Sequence, residues 1–263
     1  MSQVARTSNN AQAHGRVALV TGAAMGIGAA IAERLGHDGH RVVVADINLA
    51  AAEEMVAGLR VQGIEGQAMA IDVGDEQSII ALFSQVREQY GRCDVLVNNA
   101  GVARTEAFLD TELAGWQRLM NINLTGTLLC SQQAAQLMRE QGWGRIVNVA
   151  SISGMRASMG RTAYGTSKAA VIGLTRQMAI ELAEHGITVN GIAPGPVDTP
   201  LTQTLHSAAT RESYGRAVPL RRYGTPAEMA GAVAFLASED ASYISGHVIP
   251  VDGGYMASGI LEI

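Results

Sequence analysis

Charged side chains are scarce in this chain. Only 16% of its 263 residues are Asp, Glu, Lys or Arg, whereas typical soluble domains have roughly 25%. Apolar residues make up 48%, so we expect a large core and a surface that is partly covered by other subunits. The net charge of −5 argues against a nucleic acid or an acidic membrane as partner, because either would require a basic patch.

Cysteines are few, and long apolar runs are missing. Cys93 and Cys130 stand far apart without a CxxC motif, which argues against a disulfide framework and a zinc site. The six histidines are scattered, so no metal site is predicted. No apolar run reaches the length of a membrane span, and residues 1–14 lack the apolar segment of a signal peptide. We expect residues 1–14 to be a disordered tail and residues 15–263 to be a single cytoplasmic domain.

Short apolar runs alternate with helical patterns along the chain. Several of the runs are rich in valine and isoleucine, as buried parallel strands are. Strands that alternate with helices form a parallel sheet with helices on both faces, and right-handed crossovers bring the carboxyl ends of all strands to one edge. Ligands bind at that edge, where the strand order reverses. The predicted strands are residues 16–21, 41–45, 67–71, 95–97, 145–150, 188–193 and 247–251.

The first predicted strand ends in a glycine-rich turn, Gly22-Ala-Ala-Met-Gly26-Ile-Gly28, which a helical pattern follows. Glycines let the backbone approach a pyrophosphate, and the start of a helix presents free N–H groups and the positive end of its dipole. The spacing is not the common G-x-G-x-x-G, and an ordinary turn is the alternative in a chain with 30 glycines. The predicted phosphate contacts are Gly22, Met25, Gly26, Ile27 and Gly28.

An acidic residue stands at the end of the second predicted strand. Asp46 follows Gly28 by eighteen residues, close to the spacing of about twenty at which a carboxylate binds the adenosine ribose hydroxyls. It would repel a 2′-phosphate, and its neighbours bring no compensating cation, so NAD is favoured over NADP. A helix cap is the alternative for Asp46. Asp72, which follows the third strand and precedes Val73, could contact the adenine amino group or cap the helix that begins near Glu76.

Two long helical patterns and one segment without a period lie further along. The first pattern covers residues 112–141 and is interrupted at Asn121-Ile-Asn123, where a polar amide among apolar residues needs a partner. The second, residues 163–184, is apolar around much of its girth, so we expect it to pack on the sheet and on a second subunit. Residues 198–224 show no clear period just past a strand end, which is typical of a substrate lid.

Tyr164 and Lys168 stand four residues apart in the second helical pattern, so they share one helix face. Tyrosine has a reference pKa of about 10, and a cation beside it favours the phenolate. Lowering that pKa to about 7 requires roughly 4 kcal/mol of differential stabilisation, and one lysine in a partly dry site could supply much of it, with a cationic cofactor ring supplying the rest. The pair predicts a catalytic base; an exposed pair without function is the alternative.

Several short motifs follow one another in order: Thr21-Gly-x-x-x-Gly-Ile-Gly28, Asn98-Asn-Ala-Gly101, Asn123, Ser151, Tyr164-x-x-x-Lys168 and Pro194-Gly195. Together they resemble the short-chain dehydrogenase/reductase family, from about Arg16 to Gly254. The resemblance implies an α/β fold, namely a single Rossmann-type domain with a doubly wound, mostly parallel sheet of seven strands. It also implies a nicotinamide cofactor and a homotetramer or homodimer with the two long helices at the interface.

The resemblance further implies a catalytic tetrad. Tyr164 would be the general base in alcohol oxidation and the proton donor in ketone reduction, and Ser151 would polarise the substrate oxygen. Lys168 would lower the pKa of Tyr164 and hold the nicotinamide ribose, and Asn123 would anchor a water that links Lys168 to solvent. Structural alternatives are a strand-end cap for Ser151 and a helix kink for Asn123, and Asn98 is expected to be structural. Further cofactor contacts implied by the family are Asp72, Val73, Asn99, Ala100, Gly101, Pro194, Gly195, Val197 and Thr199.

The substrate contacts are the least defined part of the site. Residues 102–104, residues 153–159 and the lid are expected to line a pocket that methionines make partly apolar. Arg156 and Arg161 could bind an anionic substrate, although a solvated or interface arginine is the commoner case. The predicted substrate contacts are Ser151, Ser153, Met155, Tyr164 and Leu205.

Three functions are compatible with these residues. The first in rank is an NAD-dependent dehydrogenase acting on a small secondary alcohol, a polyol or a sugar. The second is a reductase of 3-oxoacyl thioesters of acyl carrier protein or coenzyme A. The resemblance of the whole chain to such reductases is also considerable. Asp46 and Ile180 argue against this function, because such reductases usually prefer NADPH and those serving acyl carrier protein tend to have an arginine where this chain has Ile180. The third is a dinucleotide-binding sensor or scaffold, but relatives of that kind commonly lose the tyrosine or the lysine.

Overall fold

The apolar runs come together in one sheet. The computed structural model describes residues 15–259, so the tail expected at residues 1–14 lies outside the described residues. The strands of the described chain are β1 (Val17–Thr21), β2 (Arg41–Asp46), β3 (Gly66–Ala70), β4 (Val95–Asn98), β5 (Gly144–Val149), β6 (Ile187–Pro194) and β7 (Val248–Val251). These seven strands are all parallel, in the order β3-β2-β1-β4-β5-β6-β7. The Rossmann-type fold is confirmed.

The sheet is buried on both faces, and its central strands consist mostly of apolar residues. All five residues of β1 are buried. Ala18 and Val20 pack on one face of the sheet. Val17 and Leu19 pack on the other. Side chains alternate across a strand, so a single apolar run contributes to two cores, as a parallel sheet with helices on both sides requires.

Helices cover both faces and complete a single domain. The helices of the described chain are α1 (Gly26–His37), α2 (Leu49–Val61), α3 (Glu76–Tyr90), α4 (Leu113–Met120), α5 (Gly126–Gln141), α6 (Thr162–Glu181), α7 (Pro200–Leu205), α8 (Ala208–Ala217) and α9 (Pro226–Ala237). One core receives apolar residues of α1, α2 and α9, and the other receives those of α3, α5 and α6. Within residues 15–259, no helix has both the length and the apolar character needed to cross a membrane.

The strand order reverses at β1. This strand pairs with β2 on one side and with β4 on the other, so a crevice opens beyond the carboxyl ends of β1 and β4. Gly22 follows β1, Asp46 ends β2 and Asn99 follows β4. The topology thus brings the predicted cofactor residues to one edge of the sheet.

The first long helical pattern is not one continuous α-helix. After α4 ends at Met120, a single π-helical turn spans Asn121–Thr125 and α5 begins at Gly126. The predicted interruption at Asn121-Ile-Asn123 is confirmed. A Cβ on Gly126 would collide with the carbonyl oxygen of Val73, so the chain after β3 packs directly on this helix.

The lid segment is more regular than its sequence indicates. Thr199 caps α7 in a capping box with Thr202, and Ser207 caps α8 by accepting a hydrogen bond from the N–H of Thr210. Both helices are short and contain no buried residue among those described. Because neither buries an apolar face, no helical period marks them in the sequence.

Candidate active site

The glycine turn between β1 and α1 is shaped by its lack of side chains. Gly22 and Gly26 have φ angles of 64° and 60°, which favour glycine. A Cβ on Gly22 would lie 2.8 Å from the Cα of Ala100, and one on Gly28 would collide with the carbonyl oxygen of Gly22. No described side chain caps the start of α1, so its first N–H groups remain available to an anion.

A cavity of about 350 Å³ lies against this turn. Together with the turn and the start of α1, it has the shape and the donors that a dinucleotide requires. The predicted residues that line it are Gly22, Met25, Gly26, Ile27, Gly28, Asn99, Ala100, Gly101, Ser151, Tyr164, Lys168, Pro194, Gly195, Val197 and Thr199. Pro200, Leu201 and Thr202 also line it, as expected for the lid. Val149 and Ala150 line it as well and were not predicted, because the sequence marks them only as part of a strand.

The segment after β4 holds the glycine turn in place. Asn99 Nδ2 donates to the carbonyl oxygens of Thr21 and Gly22, both at 2.9 Å. The Thr21 hydroxyl in turn accepts the N–H groups of Asn99 and Ala100 at 3.1 Å. Asn98 is structural, as expected, since its amide donates to Ser131 and Asn148 at 2.9 Å. The bonds of Asn99 and Ala100 to Thr21 and Gly22 therefore fix the position of the glycine turn, which is predicted to bind the phosphates.

Asp46 is fixed beside the glycine turn. Its carboxylate accepts the N–H of Ala24 at 3.0 Å and the N–H of Asn48 at 3.0 Å. Asn48, not Asp46, caps α2 by accepting the N–H of Ala51, so the helix-cap alternative for Asp46 is wrong. The negative charge is therefore held by backbone donors at the position where the adenosine ribose lies in this fold.

Asp72 and Val73 lie at the same sheet edge but do not line the cavity. Asp72 accepts the N–H of Gly74 at 2.8 Å and so shapes the turn that it starts. Asp75 caps α3, so the cap alternative for Asp72 is also wrong. An adenine contact for either residue stays a prediction.

Tyr164 and Lys168 lie near each other on α6, as their spacing predicts. Lys168 Nζ donates to the carbonyl oxygen of Val149 at 2.8 Å and lies 5.9 Å from the centroid of the Tyr164 ring. Ser151 accepts the N–H of Ser153 at 3.1 Å and also forms a hydrogen bond with Tyr164. Ser151 therefore caps the end of the strand, as in the structural alternative, and it also contacts Tyr164, as in the catalytic prediction.

Burial governs the protonation of this pair. Burial raises the pKa of Tyr164, while the hydrogen bond with Ser151 and the charge of Arg161 lower it. Burial lowers the pKa of Lys168 to about 8, because an ammonium is poorly solvated there. The sequence predicted a tyrosine pKa lowered by the lysine together with a cationic cofactor ring. In the protein alone the pKa of Tyr164 is raised, because the loss of water around the phenolate outweighs the neighbouring charges. Its lowering with a bound nicotinamide stays a prediction.

Asn123 lies behind the cavity, in the π-helical turn. Its Oδ1 accepts the N–H of Val102 at 2.9 Å, and its Nδ2 donates to the Val102 carbonyl at 2.9 Å and to the Ser167 hydroxyl at 3.1 Å. A Cβ on Gly101 would lie 3.1 Å from Asn123 Oδ1 and 3.6 Å from Lys168 Nζ. The side chain joins the loop after β4 to α6, and a role in holding water stays a prediction.

Three predicted substrate contacts lie outside this cavity. Ser153 and Met155 line a neighbouring cavity of about 340 Å³, and Leu205, at the end of α7, is 40% exposed. Arg161 also lines the neighbouring cavity, and its guanidinium carbon lies 5.6 Å from the Tyr164 ring centroid. From the sequence, a position in solvent or at a subunit interface was favoured for the Arg161 side chain. Its position three residues before Tyr164 was the signal that places it beside the tyrosine.

A protein-family model described as Enoyl-(Acyl carrier protein) reductase matches residues 22–256. The chain belongs to the short-chain dehydrogenase/reductase family. The matched span contains the glycine turn and all four residues of the tetrad, so the resemblance drawn from the motifs is confirmed.

Proteins of known sequence match this short-chain dehydrogenase/reductase over most of its length. It is 40% identical over 244 residues to 3-oxoacyl-[acyl-carrier-protein] reductase FabG of Aquifex aeolicus, covering 91% of this chain and 97% of that protein. It is 43% identical over 243 residues to cis-4-hydroxycyclohexanecarboxylate dehydrogenase of Sinomonas cyclohexanicum, with coverages of 92% and 97%. The solved structure of a gluconate 5-dehydrogenase from Burkholderia cenocepacia with NADP and tartrate matches with a TM-score of 0.90 and 32% identity, covering 94% of this chain and 97% of that one. The chain is thus an oxidoreductase of a family that binds NAD or NADP.

Proposed function

We propose that this oxidoreductase transfers hydride between a nicotinamide cofactor and a secondary alcohol or ketone. One observation carries the proposal: a single cavity brings the glycine turn together with Ser151, Tyr164 and Lys168. A sensor or scaffold would need the phosphate cradle but neither a buried amine nor a tyrosine beside it. The arrangement therefore supports turnover over the binding-only alternative.

Each side chain has a distinct part in the proposed reaction. Nicotinamide, when bound, supplies or accepts the hydride. In ketone reduction the Tyr164 hydroxyl donates a proton to the substrate oxygen, and Ser151 donates a hydrogen bond to that oxygen; in alcohol oxidation Tyr164 accepts the proton. Because the pKa of Lys168 is lowered to about 8, its amine takes up and releases protons near neutral pH, which a proton relay to Tyr164 requires.

NAD is the proposed cofactor, and the support for it is Asp46. Backbone N–H groups of Ala24 and Asn48 hold its carboxylate at 3.0 Å, so the charge cannot move away from a 2′-phosphate without losing both bonds. The solved relative contains NADP, so the comparisons support the nicotinamide class without ranking its two members.

The relatives change the ranking of substrates. The sequence placed small alcohols, polyols and sugars first, but the Aquifex relative favours reduction of a 3-oxoacyl thioester, and the family description also names an acyl-carrier-protein substrate. We therefore take a 3-oxoacyl thioester as the first candidate, although Asp46 argues against the NADPH that such reductases usually use. A small hydroxy acid is the second candidate. It is favoured by the Sinomonas relative and by the arginine next to Tyr164.

A substrate panel tests the proposed function. The purified protein is assayed on acetoacetyl-coenzyme A with NADH and NADPH, and on cis-4-hydroxycyclohexanecarboxylate, polyols and sugars with NAD and NADP. Absorbance of the reduced cofactor follows its consumption in the first assay and its formation in the second. We expect turnover of at least one class, and a loss of roughly 10²- to 10⁴-fold in Tyr164→Phe. The control Tyr243→Phe alters a fully exposed ring and should keep the wild-type rate. Equal rates in wild type and Tyr164→Phe would refute the assigned proton donor.

A further inference from the structure

Arg161 stands at the junction between the catalytic helix and the lid. It directly precedes α6 and is half-buried, with its guanidinium carbon 5.6 Å from the Tyr164 ring centroid. Its charge reaches two lid residues. Burial, followed by the charge of Arg161, lowers the pKa of His206, and the same charge opposes the rise that burial causes in the pKa of Tyr214. The guanidinium therefore lies close to Tyr164 and to the lid, and it lines the cavity of about 340 Å³ beside the start of α6.

The lid presents aromatic rings to this region. His206 stacks on Tyr214 with ring centroids 5.5 Å apart, and the Tyr214 ring lies 6.1 Å from that of Tyr255. Aromatic faces favour contact with the apolar parts of a ligand. The lid rings thus lie near Arg161 and the proposed proton donor, and a second guanidinium, that of Arg156, lies 5.5 Å from the Tyr255 ring centroid.

Among residues 15–259, none of the ion pairs includes Arg161. The backbone of Glu106 forms an isolated β-bridge with the backbone of Arg161. The carboxylate of Glu106, however, is paired with Arg104 at 2.7 Å. The lid cation Arg211 is paired with Asp198 at 2.9 Å. Arg161 thus contacts the Tyr164 ring but has no carboxylate partner among the described residues, so its guanidinium is suited to an anion that arrives with a ligand.

We propose that Arg161 binds a carboxylate of the substrate and makes the enzyme select hydroxy acids and keto acids over neutral alcohols and ketones. A carboxylate fits better than a phosphate, because one guanidinium fork matches one planar group of single charge. The reacting carbon must lie within reach of Tyr164, so one ring or a short chain separates it from the carboxylate. This inference rests on the proposed oxidoreductase function, and of its two substrate candidates it takes the small hydroxy acid over the 3-oxoacyl thioester.

A matched pair of substrates tests the proposal. cis-4-Hydroxycyclohexanecarboxylate and its carboxamide have nearly the same shape and differ in charge, and their oxidation with NAD is followed at the absorbance of NADH. We expect the acid to exceed the amide in kcat/KM by roughly 10- to 100-fold, mainly through KM. This preference should disappear in Arg161→Met and return in part in Arg161→Lys. Equal use of acid and amide by the wild type, or a preference that persists in Arg161→Met, contradicts the proposal.

The control removes the same charge elsewhere. Arg139 is an exposed arginine in the last turn of α5, near the opposite edge of the sheet from Tyr164. Arg139→Met should keep the full preference for the acid, because charges separated by more than about 10 Å in solvent are screened by salt. Loss of the preference in Arg139→Met would assign it to net charge and not to a binding contact.

A binding measurement separates this proposal from the proposed function. Cyclohexanecarboxylate and cyclohexanecarboxamide have no alcohol to oxidise, and calorimetry measures their binding to the protein saturated with NADH. We expect the carboxylate to bind the wild type at least tenfold more tightly than the amide, and to lose that advantage in Arg161→Met. If no substrate is turned over but the carboxylate still binds through Arg161, the proposed reaction fails and the anion site stands. If turnover occurs but acid and amide bind alike, the anion site fails.

Discussion

Lys168 is the sole lysine among the 263 residues of the chain. Its amine is buried and bound to the Val149 carbonyl at 2.8 Å, so folding removes most of the water that would solvate an ammonium. The arrangement favours the neutral amine, which is why the pKa of Lys168 falls to about 8. A base whose pKa lies within about one unit of neutrality can exchange protons with solvent and with a neighbouring donor.

We predict that Lys168 titrates near pH 8 in the folded protein and near its ordinary value of 10.5 in the unfolded chain. Between these values the unfolded state binds more protons, so the free energy of unfolding rises with pH by up to roughly 3 kcal/mol. Below pH 8 the penalty for the buried ammonium is fully present. Protein labelled in lysine alone gives one side-chain NMR signal, and its titration measures the pKa directly.

The variant Lys168→Met serves as the control for the stability measurement. Its free energy of unfolding, measured in urea, should lack the rise between pH 8 and 10.5. The difference between the two proteins isolates Lys168 from other groups that titrate in this range. A folded-state midpoint near 10.5 would mean that the amine remains solvated.

Asp46 gives a second prediction, on the choice of cofactor. Asp46→Ser keeps an oxygen that can accept the N–H of Ala24, which the wild-type carboxylate binds at 3.0 Å, but it removes the charge. Close like charges cost several kcal/mol, so we expect the ratio of kcat/KM for NADP to that for NAD to rise roughly a hundredfold. The control Ile47→Ser changes an exposed neighbour and should leave the ratio unchanged. An unaltered ratio in Asp46→Ser would remove the basis for preferring NAD.

Spacing in the sequence located Tyr164, Lys168 and Asp46, because helix and strand periods determine which face or strand end a residue occupies. The environment of these residues was not predictable in the same way. The pKa of Tyr164 is raised because chain segments distant in sequence remove water from it, and no local pattern records that. Arg161 was treated as a surface arginine for the same reason, since the lid that faces it lies dozens of residues away.

At the scale of elements, the π-helical turn between α4 and α5 determines where Asn123 points. A π turn inserts one extra residue into a helix and often occurs at functional sites. Here it buries Asn123, whose amide satisfies both backbone groups of Val102 and the hydroxyl of Ser167. Three elements, namely the loop after β4, the π turn and α6, are thus joined by one side chain.

We predict that Asn123→Ala lowers the free energy of unfolding by about 2–4 kcal/mol, because it leaves the N–H and carbonyl of Val102 without their partner. Urea denaturation measures the loss. The control Thr127→Val removes one hydrogen bond to the same turn, from the threonine hydroxyl to the Asn123 carbonyl at 2.9 Å. Its loss should stay near 1 kcal/mol. Similar losses in both variants would show that Asn123 has no special part in joining these elements.

Elements differed in how well the sequence defined them. β1 was predicted to within one residue, because a buried strand is apolar at every position and a glycine turn ends it. The lid helices α7 and α8 were not predicted, because their caps are local signals while their faces bury nothing among the described residues.

At the scale of the molecule, α4 and α6 expose apolar side chains. Ile180 near the end of α6 is 79% exposed and Leu113 at the start of α4 is 69% exposed. α6 packs on the sheet with Met178 and Ala179, so its opposite side faces outward. Large apolar residues on an outer helix face are typical of subunit interfaces, and we propose that these helices join copies of the chain in a homodimer or homotetramer.

We predict that the wild-type protein sediments as a dimer or tetramer and that Ile180→Glu shifts it toward the monomer, because the new carboxylate would be buried without a partner at the interface. Val61→Glu is the matched control. Val61 is 89% exposed at the end of α2, on the opposite side of the sheet, and its substitution should leave the assembly intact. A wild-type protein that sediments as a monomer would contradict the assembly. The glycine turn and the tetrad come from one chain, so dissociated Ile180→Glu protein should still bind NADH, which fluorescence titration measures.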